Sequence, residues 1–114
     1  MTTLTTTQEG RRAVTGNQIT VRLSATTADT SLDAGGLLFD ANTWLGNPTS
    51  VTAEPVGGYT LAYNYHATAG NRAFDVYADT NPADSGGANI PLTKATGLDL
   101  SALTFRITVT GGRA

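Results

Sequence analysis

Few side chains in this chain have the chemistry of a catalytic group. The one histidine, His66, ends an alternating run that starts at Tyr59, and its place in that run predicts an outward-facing position on a strand. A histidine base needs a nucleophile to activate, yet no Gly-Xaa-Ser-Xaa-Gly or similar motif occurs. The sequence therefore predicts no catalytic residues and no enzyme. A small hydrolase is the alternative, to be abandoned if a His66→Ala variant keeps every measurable property.

The loop carboxylates are candidates for metal ligands. Residues 79–88 read DTNPADSGGA, and an EF-hand loop needs an oxygen ligand at its fifth position, glycine at its sixth and glutamate at its twelfth. Here those positions hold Ala83, Asp84 and Ile90. Aspartate in a turn usually accepts hydrogen bonds from its own backbone. The stretch is predicted to be a loop, and no metal or other cofactor is expected.

Aromatic side chains are the next resource, because a flat ring with a polar edge can stack on a sugar. The candidates are Tyr59, Tyr63, Tyr65, Tyr77 and Trp44. Aromatic residues are also favoured on strands for packing alone, and three of these tyrosines share an alternating face with Leu61. Core or subunit contact is therefore the simpler interpretation, and a glycan-binding module that uses surface aromatics is an alternative function.

The N-terminal stretch has the composition of a flexible arm. Nine of its first 17 residues are Thr, Gly or Asn, so it cannot bury enough apolar surface to offset the entropy of ordering. We predict an extended, mobile docking arm over residues 1–17 and a single β-domain over 18–114. The candidate partner-binding residues are Arg11 and Arg12, whose guanidinium groups suit carboxylates, with Val14 beside them. Trp44 is a fourth candidate, although a lone tryptophan is as often part of a core.

Composition narrows the function classes. The 114 residues suit one domain. Charged residues make up 14% with a formal net charge of −2, which gives no basic field for nucleic acid. No apolar run approaches the length of a membrane span, and cysteine is absent. A soluble protein made in the cytoplasm is expected, without nucleic-acid or membrane partners.

Thirteen glycines separate short alternating runs, which predicts an all-β fold, a small antiparallel β-sandwich or β-barrel. Residues 37–45 fit either a strand or a single helical turn. Gly57-Gly58 suits a two-residue hairpin turn. The predicted strands are 18–24, 51–56 as an edge or strand end, the hairpin 59–66 with 72–78 at the centre of the sheet and Ala69-Gly70-Asn71 as its turn, and the closing run 103–110, expected to be buried on one face.

Three segments together resemble the small capsid decoration (cement) proteins of tailed bacteriophages. These segments are GRRAVTGNQ at 10–18, YTLAYNY at 59–65 and DLSALTFRITV at 99–109. The resemblance implies a β-rich virion protein on the exterior of an icosahedral head, commonly a homotrimer at local three-fold positions. The implied partners are the major capsid protein, whose subunits it locks together, and further copies of itself.

The same resemblance implies that residues 1–17 add as a strand to the capsid protein, and it supplies no catalytic residue. Residues 79–88 depart from the family pattern. A phage tail-tube or terminator subunit is an alternative within virion proteins, and ring or tube formation by the purified protein would favour it.

Overall fold

The computed structural model describes residues 2–78, 93–94 and 96–112, and in this part the chain folds as two packed β-sheets. Two short 3-10 helices, Ala41–Thr43 and Ala69–Asn71, lie between strands. The strands are β1 (Thr2–Thr3), β2 (Thr5–Gln8), β3 (Ala13–Thr15), β4 (Gln18–Thr26), β5 (Leu37–Leu38), β6 (Asn47–Ala53), β7 (Tyr59–Asn64), β8 (Ala73–Ala78), β9 (Thr93–Lys94) and β10 (Phe105–Gly112). The predicted all-β class is confirmed, in its sandwich form.

The first sheet is built on the two strands with the strongest alternation. β10 pairs with β4 on one side and β6 on the other, and β2 and β3 pair with the far side of β4. Phe105, Ile107 and Val109 of β10 are almost fully buried, while the intervening Arg106 is exposed. The prediction that the closing strand is buried on one face is confirmed. So is the strand from Gln18, which runs on to Thr26.

The second sheet contains the predicted hairpin. β7 and β8 pair antiparallel along their full length, and β5 and β9 pair with the other side of β8. Among the described residues β8 is therefore central and β7 is an edge strand, so the prediction that this hairpin occupies the centre holds there for β8 alone. The link over residues 65–72 is longer than the predicted three-residue turn, because it carries the 3-10 helix Ala69–Asn71.

A tight corner connects the two sheets. Val56 and Tyr59 exchange backbone hydrogen bonds of 3.1 and 3.0 Å across Gly57-Gly58, whose φ values are +62° and +84°. Both values lie in the left-handed region that glycine adopts without strain. The predicted two-residue glycine turn is confirmed, and it places β6 and β7 on facing layers at one side of the sandwich.

The core lies between the two sheets, and strands of both sheets contribute buried side chains to it. Phe39, Tyr63 and Phe74 form an aromatic cluster with ring centroids 5.1 to 5.9 Å apart. The largest buried side chains are Phe74, Phe105, Leu23, Leu32, Leu37, Leu100 and Ile107. Two further segments agree with the sequence. Residues 37–45 form both a short strand and a 3-10 turn, and β6 is an edge strand that begins earlier than predicted, at Asn47.

The N-terminal residues differ from the predicted free arm. Residues 2–15, here called the N-terminal ribbon, are paired with the body: β1 runs parallel to β5 in one sheet, and β2 and β3 run antiparallel to β4 in the other. Thr2 is 4% exposed, its N–H donates to Gly36 O at 3.0 Å, and its hydroxyl accepts from the Asp33 N–H. The predicted mobility is therefore corrected. Main-chain hydrogen bonds to an existing sheet edge hold the segment without many apolar side chains.

The structure addresses two further expectations only in part. The loop expected over residues 79–88 lies outside the described residues. No helix in the described part of the chain is long and apolar enough to cross a membrane.

Candidate interaction surfaces

The ribbon carries a bulge between β2 and β3. Gln8 lies opposite Leu23 and Ala13 lies opposite Thr20, so the four ribbon residues 9–12 face only the two β4 residues 21 and 22. Gly10 has a φ of +66° in this bulge. A bulge interrupts the ladder and redirects side chains. Arg11 and Arg12 are accordingly exposed, and they fall outside the paired stretches of β2 and β3.

The outer side of the ribbon is a sheet edge. Within residues 2–78, 93–94 and 96–112, β2 and β3 pair only with β4, and no strand pairs with their other side. Such an edge presents backbone donors and acceptors to another chain. Val14, on β3, is 47% exposed. Three of the four predicted partner-binding residues, Arg11, Arg12 and Val14, thus lie on one short stretch of this edge.

Trp44 lies apart from that stretch. It is half-buried, packs against the core, and lines a groove of about 390 Å³ at the opposite end of the ribbon. Residues that share this groove include Leu4, Thr6, Phe39 and Thr43. Leu4 and Thr6 lie before or within the paired part of β2, whereas Arg11 and Arg12 lie beyond it in the bulge. The structure therefore does not place Trp44 with the arginine pair, and it is partly a core residue.

A buried arginine that the sequence did not single out connects several segments beside the Trp44 groove, which its partner Asp40 also lines. Arg72 is 8% exposed, and each of its five N–H groups has an acceptor. Nε donates to His66 O at 2.7 Å, Nη1 to Asp40 Oδ1 at 2.8 Å and Asn42 Oδ1 at 2.9 Å, and Nη2 to Tyr65 Oη at 3.0 Å and Ala67 O at 3.3 Å. The hydrogen bond to Asp40 raises the pKa of Arg72 above its already high ordinary value. A guanidinium bound in this way fixes the positions of several chain segments at once.

Arg72 also holds an exposed aromatic side chain. Its guanidinium carbon lies 4.5 Å from the Tyr65 ring centroid, and a cation over a ring face is attracted to it. Tyr65 is 59% exposed in spite of this contact. The tyrosine is therefore a surface residue, so of the predicted core or subunit contact the core position is wrong for Tyr65, and subunit contact stays a prediction. Tyr59 and Tyr63 do pack against the core.

Tyr65 lines a second groove, between the edge strands β6 and β7. The groove has a volume of about 410 Å³ and is lined by Pro48, Thr49, Ser50, Val51, Tyr63 and Tyr65, here called the tyrosine groove. None of the six is charged. It lies at the opposite side of the first sheet from the ribbon, because β6 and β2 are the two ends of the order β2-β4-β10-β6.

Tyr63 connects this groove to the core. Its hydroxyl donates to Phe39 O at 2.9 Å and accepts from the Ala41 N–H at 3.3 Å. Burial raises the pKa of Tyr63 above its ordinary value of 10.0. The native state thus favours the neutral phenol, so its contribution to stability is full below that value and is lost as the pH rises through the raised pKa.

Replacing this hydroxyl should have a measurable cost. Tyr63→Phe is expected to lower the free energy of unfolding by about 1–2 kcal/mol, because Phe39 O loses its donor and Ala41 N–H its acceptor. Urea unfolding at neutral pH measures this loss, and the difference from the unmodified protein should narrow above pH 10. A variant as stable as the unmodified protein at neutral pH would contradict this role.

The remaining candidate groups show no catalytic arrangement within the described residues. His66 is exposed, and its Nδ1 accepts from the Thr68 N–H at 3.1 Å. In the described ranges no group of three or more His, Cys, Asp or Glu side chains is placed to hold a metal ion. No family model, no curated protein and no solved structure matches the chain. What the protein binds is therefore inferred from its own surfaces, chiefly the ribbon edge and the tyrosine groove.

Proposed function

We propose that this chain is a structural virion protein that binds the exterior of a tailed-phage capsid and stabilises contacts between neighbouring major capsid subunits. The observation that carries the proposal is the outer edge of the ribbon, which pairs with no other strand of the described residues and on which Arg11, Arg12 and Val14 are exposed. The resemblance of three chain segments to capsid decoration proteins supports the same assignment.

The docking step in this proposal is strand addition. An extended segment of the capsid protein pairs with the outer edge of β2 and β3, so main-chain hydrogen bonds supply affinity and alternate side chains set the register. Val14 supplies apolar contact, and the two arginines bind carboxylates of the partner. Because the ribbon is already ordered on β4, docking needs less ordering than the capture of a free arm.

Symmetry multiplies this contact. The proposed protein works as a homotrimer at a local three-fold position of the shell, so each copy presents one ribbon to one capsid subunit. After the first ribbon docks, the other two act at a high effective concentration. Three contacts that are each weak then give the trimer a high overall affinity for the shell.

A charge reversal on the ribbon tests the proposal. The Arg11→Glu/Arg12→Glu/Val14→Asp variant should lose tenfold or more in affinity for shells assembled from the major capsid protein that is its proposed partner, because burial of Val14 alone contributes about 1.5 kcal/mol or more. Co-sedimentation of purified protein with those shells measures the loss.

The matched control is Arg106→Glu, which reverses an exposed arginine on β10, a strand of the same sheet that β4 separates from the ribbon edge. It should bind the shells normally. Unchanged binding by the ribbon variant would overturn the proposal, and an equal loss in the Arg106→Glu control would show that overall charge, not the ribbon, governs binding.

The trimer has its own measurement. Analytical ultracentrifugation of the protein and electron microscopy of decorated shells should give three copies per local three-fold site. A protein that is monomeric in solution and whose copies on the shell bear no three-fold relation would contradict the trimer while leaving ribbon docking intact.

A further inference from the structure

We propose that the tyrosine groove between β6 and β7 binds a neutral saccharide chain, with Tyr65 as the ring on which a sugar stacks. This site is separate from capsid docking, because the groove and the ribbon lie at opposite sides of the first sheet. Docking through the ribbon edge therefore does not itself cover the groove.

The size and lining of the groove suit a small neutral ligand. Its volume of about 410 Å³ falls in the range of roughly 300–1,000 Å³ that ligand sites occupy. The lining combines two tyrosines with two hydroxyl side chains and has no charged group. Sugars present apolar C–H faces and rings of hydroxyls, which is the complement of such a surface.

Tyr65 is held ready for stacking. The guanidinium of Arg72 covers one face of its ring at 4.5 Å and donates to its hydroxyl at 3.0 Å. The residue is nevertheless 59% exposed, which leaves the other face for a ligand. Because all five Arg72 donors are engaged, the ring is fixed before a ligand arrives, and a preorganised contact loses less entropy on binding.

Hydroxyl groups on β6 supply the polar contacts. The Thr49 hydroxyl donates to Thr110 O at 3.1 Å, so its lone pairs remain to accept from a sugar hydroxyl. Ser50 is exposed beside it. Groups of this kind fix the orientation of a ligand, while the tyrosine ring provides the area of contact.

The same strand argues against a peptide as the occupant. An added peptide strand needs a regular row of backbone donors and acceptors along the edge. β6 carries Pro48, which has no N–H, whereas the ribbon contains no proline. Proline on an edge strand keeps a further strand from pairing there. Hence the aromatic and hydroxyl lining, rather than the strand edge, defines the ligand.

The test is a nuclear magnetic resonance titration with neutral oligosaccharides of glucose, galactose, mannose, rhamnose and N-acetylglucosamine, each taken into the millimolar range. At least one should shift the resonances of Tyr65 and Ser50. Tyr65→Ala should weaken that binding roughly tenfold through loss of ring stacking. Ser50→Val, which keeps an exposed strand residue, should weaken it about threefold through loss of a hydrogen bond.

Controls separate this site from the ribbon. The Arg11→Glu/Arg12→Glu/Val14→Asp variant should bind the sugar normally, and Tyr65→Ala should still bind shells. No shift at the groove with any of these sugars would overturn the inference, as would undiminished binding by both Tyr65→Ala and Ser50→Val. Failure of the unmodified protein to bind shells, with sugar binding at the groove intact, would count only against the proposed function.

Discussion

Gly36→Ala is expected to lower the free energy of unfolding by about 2–5 kcal/mol, from left-handed strain of about 1–2 kcal/mol and overpacking of a further 1–3 kcal/mol. Gly36 has a φ of +80°, and a Cβ placed on it would collide with the carbonyl oxygen of Phe74. The next residue, Leu37, pairs with that same Phe74. The added methyl group therefore pushes β5 away from β8, and with it β1, which pairs with β5.

Gly58→Ala is the matched control for this substitution. Gly58 has a nearly identical φ of +84°, but nothing lies within 4 Å of the place that an added Cβ would take. It should therefore show the backbone strain of about 1–2 kcal/mol without the collision. Urea unfolding of both variants measures the difference. Equal destabilisation of the two would show that the approach of Gly36 to Phe74 contributes nothing.

Arg72→Met is the second substitution with a large expected effect. It keeps much of the side-chain volume but removes all five N–H donors, and it leaves the Asp40 carboxylate without its ion-pair partner. The midpoint of thermal unfolding should fall by several degrees, because an acceptor set built around a buried charge loses that charge. Calorimetry measures the shift.

Arg72→Lys and Arg106→Met are the controls for this substitution. Lysine cannot reproduce the planar fork that reaches Asp40 and Tyr65 together, so Arg72→Lys should recover only a minor part of the loss. Arg106 is an exposed strand residue, and its replacement by methionine should change the midpoint little. An Arg72→Met variant that unfolds at the unmodified midpoint would contradict a structural role for the arginine network.

The sequence predicted those parts of the fold in which the structure determines the type of side chain at each position. β4 and β10 alternate apolar and polar residues because each has one face in the core, and that period is visible in the chain itself. The turn at Gly57-Gly58 was predictable because a turn with two adjacent positive φ values favours glycine at both positions, so a Gly-Gly pair indicates it.

The ribbon was not predictable in the same way. Its pairing depends on backbone groups that every residue carries, so threonine-rich composition indicated mobility although the edges of β4 and β5 accept the segment. Here the availability of an edge decided the outcome over composition. The sequence of residues 2–15 alone does not show that such an edge is available to them.

The arginine network and the tyrosine groove escaped prediction because their members are distant in sequence. Arg72 lies 32 residues from Asp40 and 30 from Asn42, and β6 faces β7 only after the chain has turned through the glycine corner. The aromatic residues suggested sugar stacking, but the alternating run predicted core or subunit contact for Tyr65. β7 ends at Asn64. Tyr65 therefore lies outside the alternation of the strand, and its ring packs against the guanidinium of Arg72.

The crossing of the ribbon between layers has a mechanical consequence. β1 belongs to one sheet and β2 to the other, with Leu4 between them packed against the core. Tension applied along the ribbon is consequently shared by both layers, in shear across two sets of hydrogen bonds, instead of unzipping a single strand. A pull on the ribbon must therefore disrupt pairing in both sheets before the segment separates from the body.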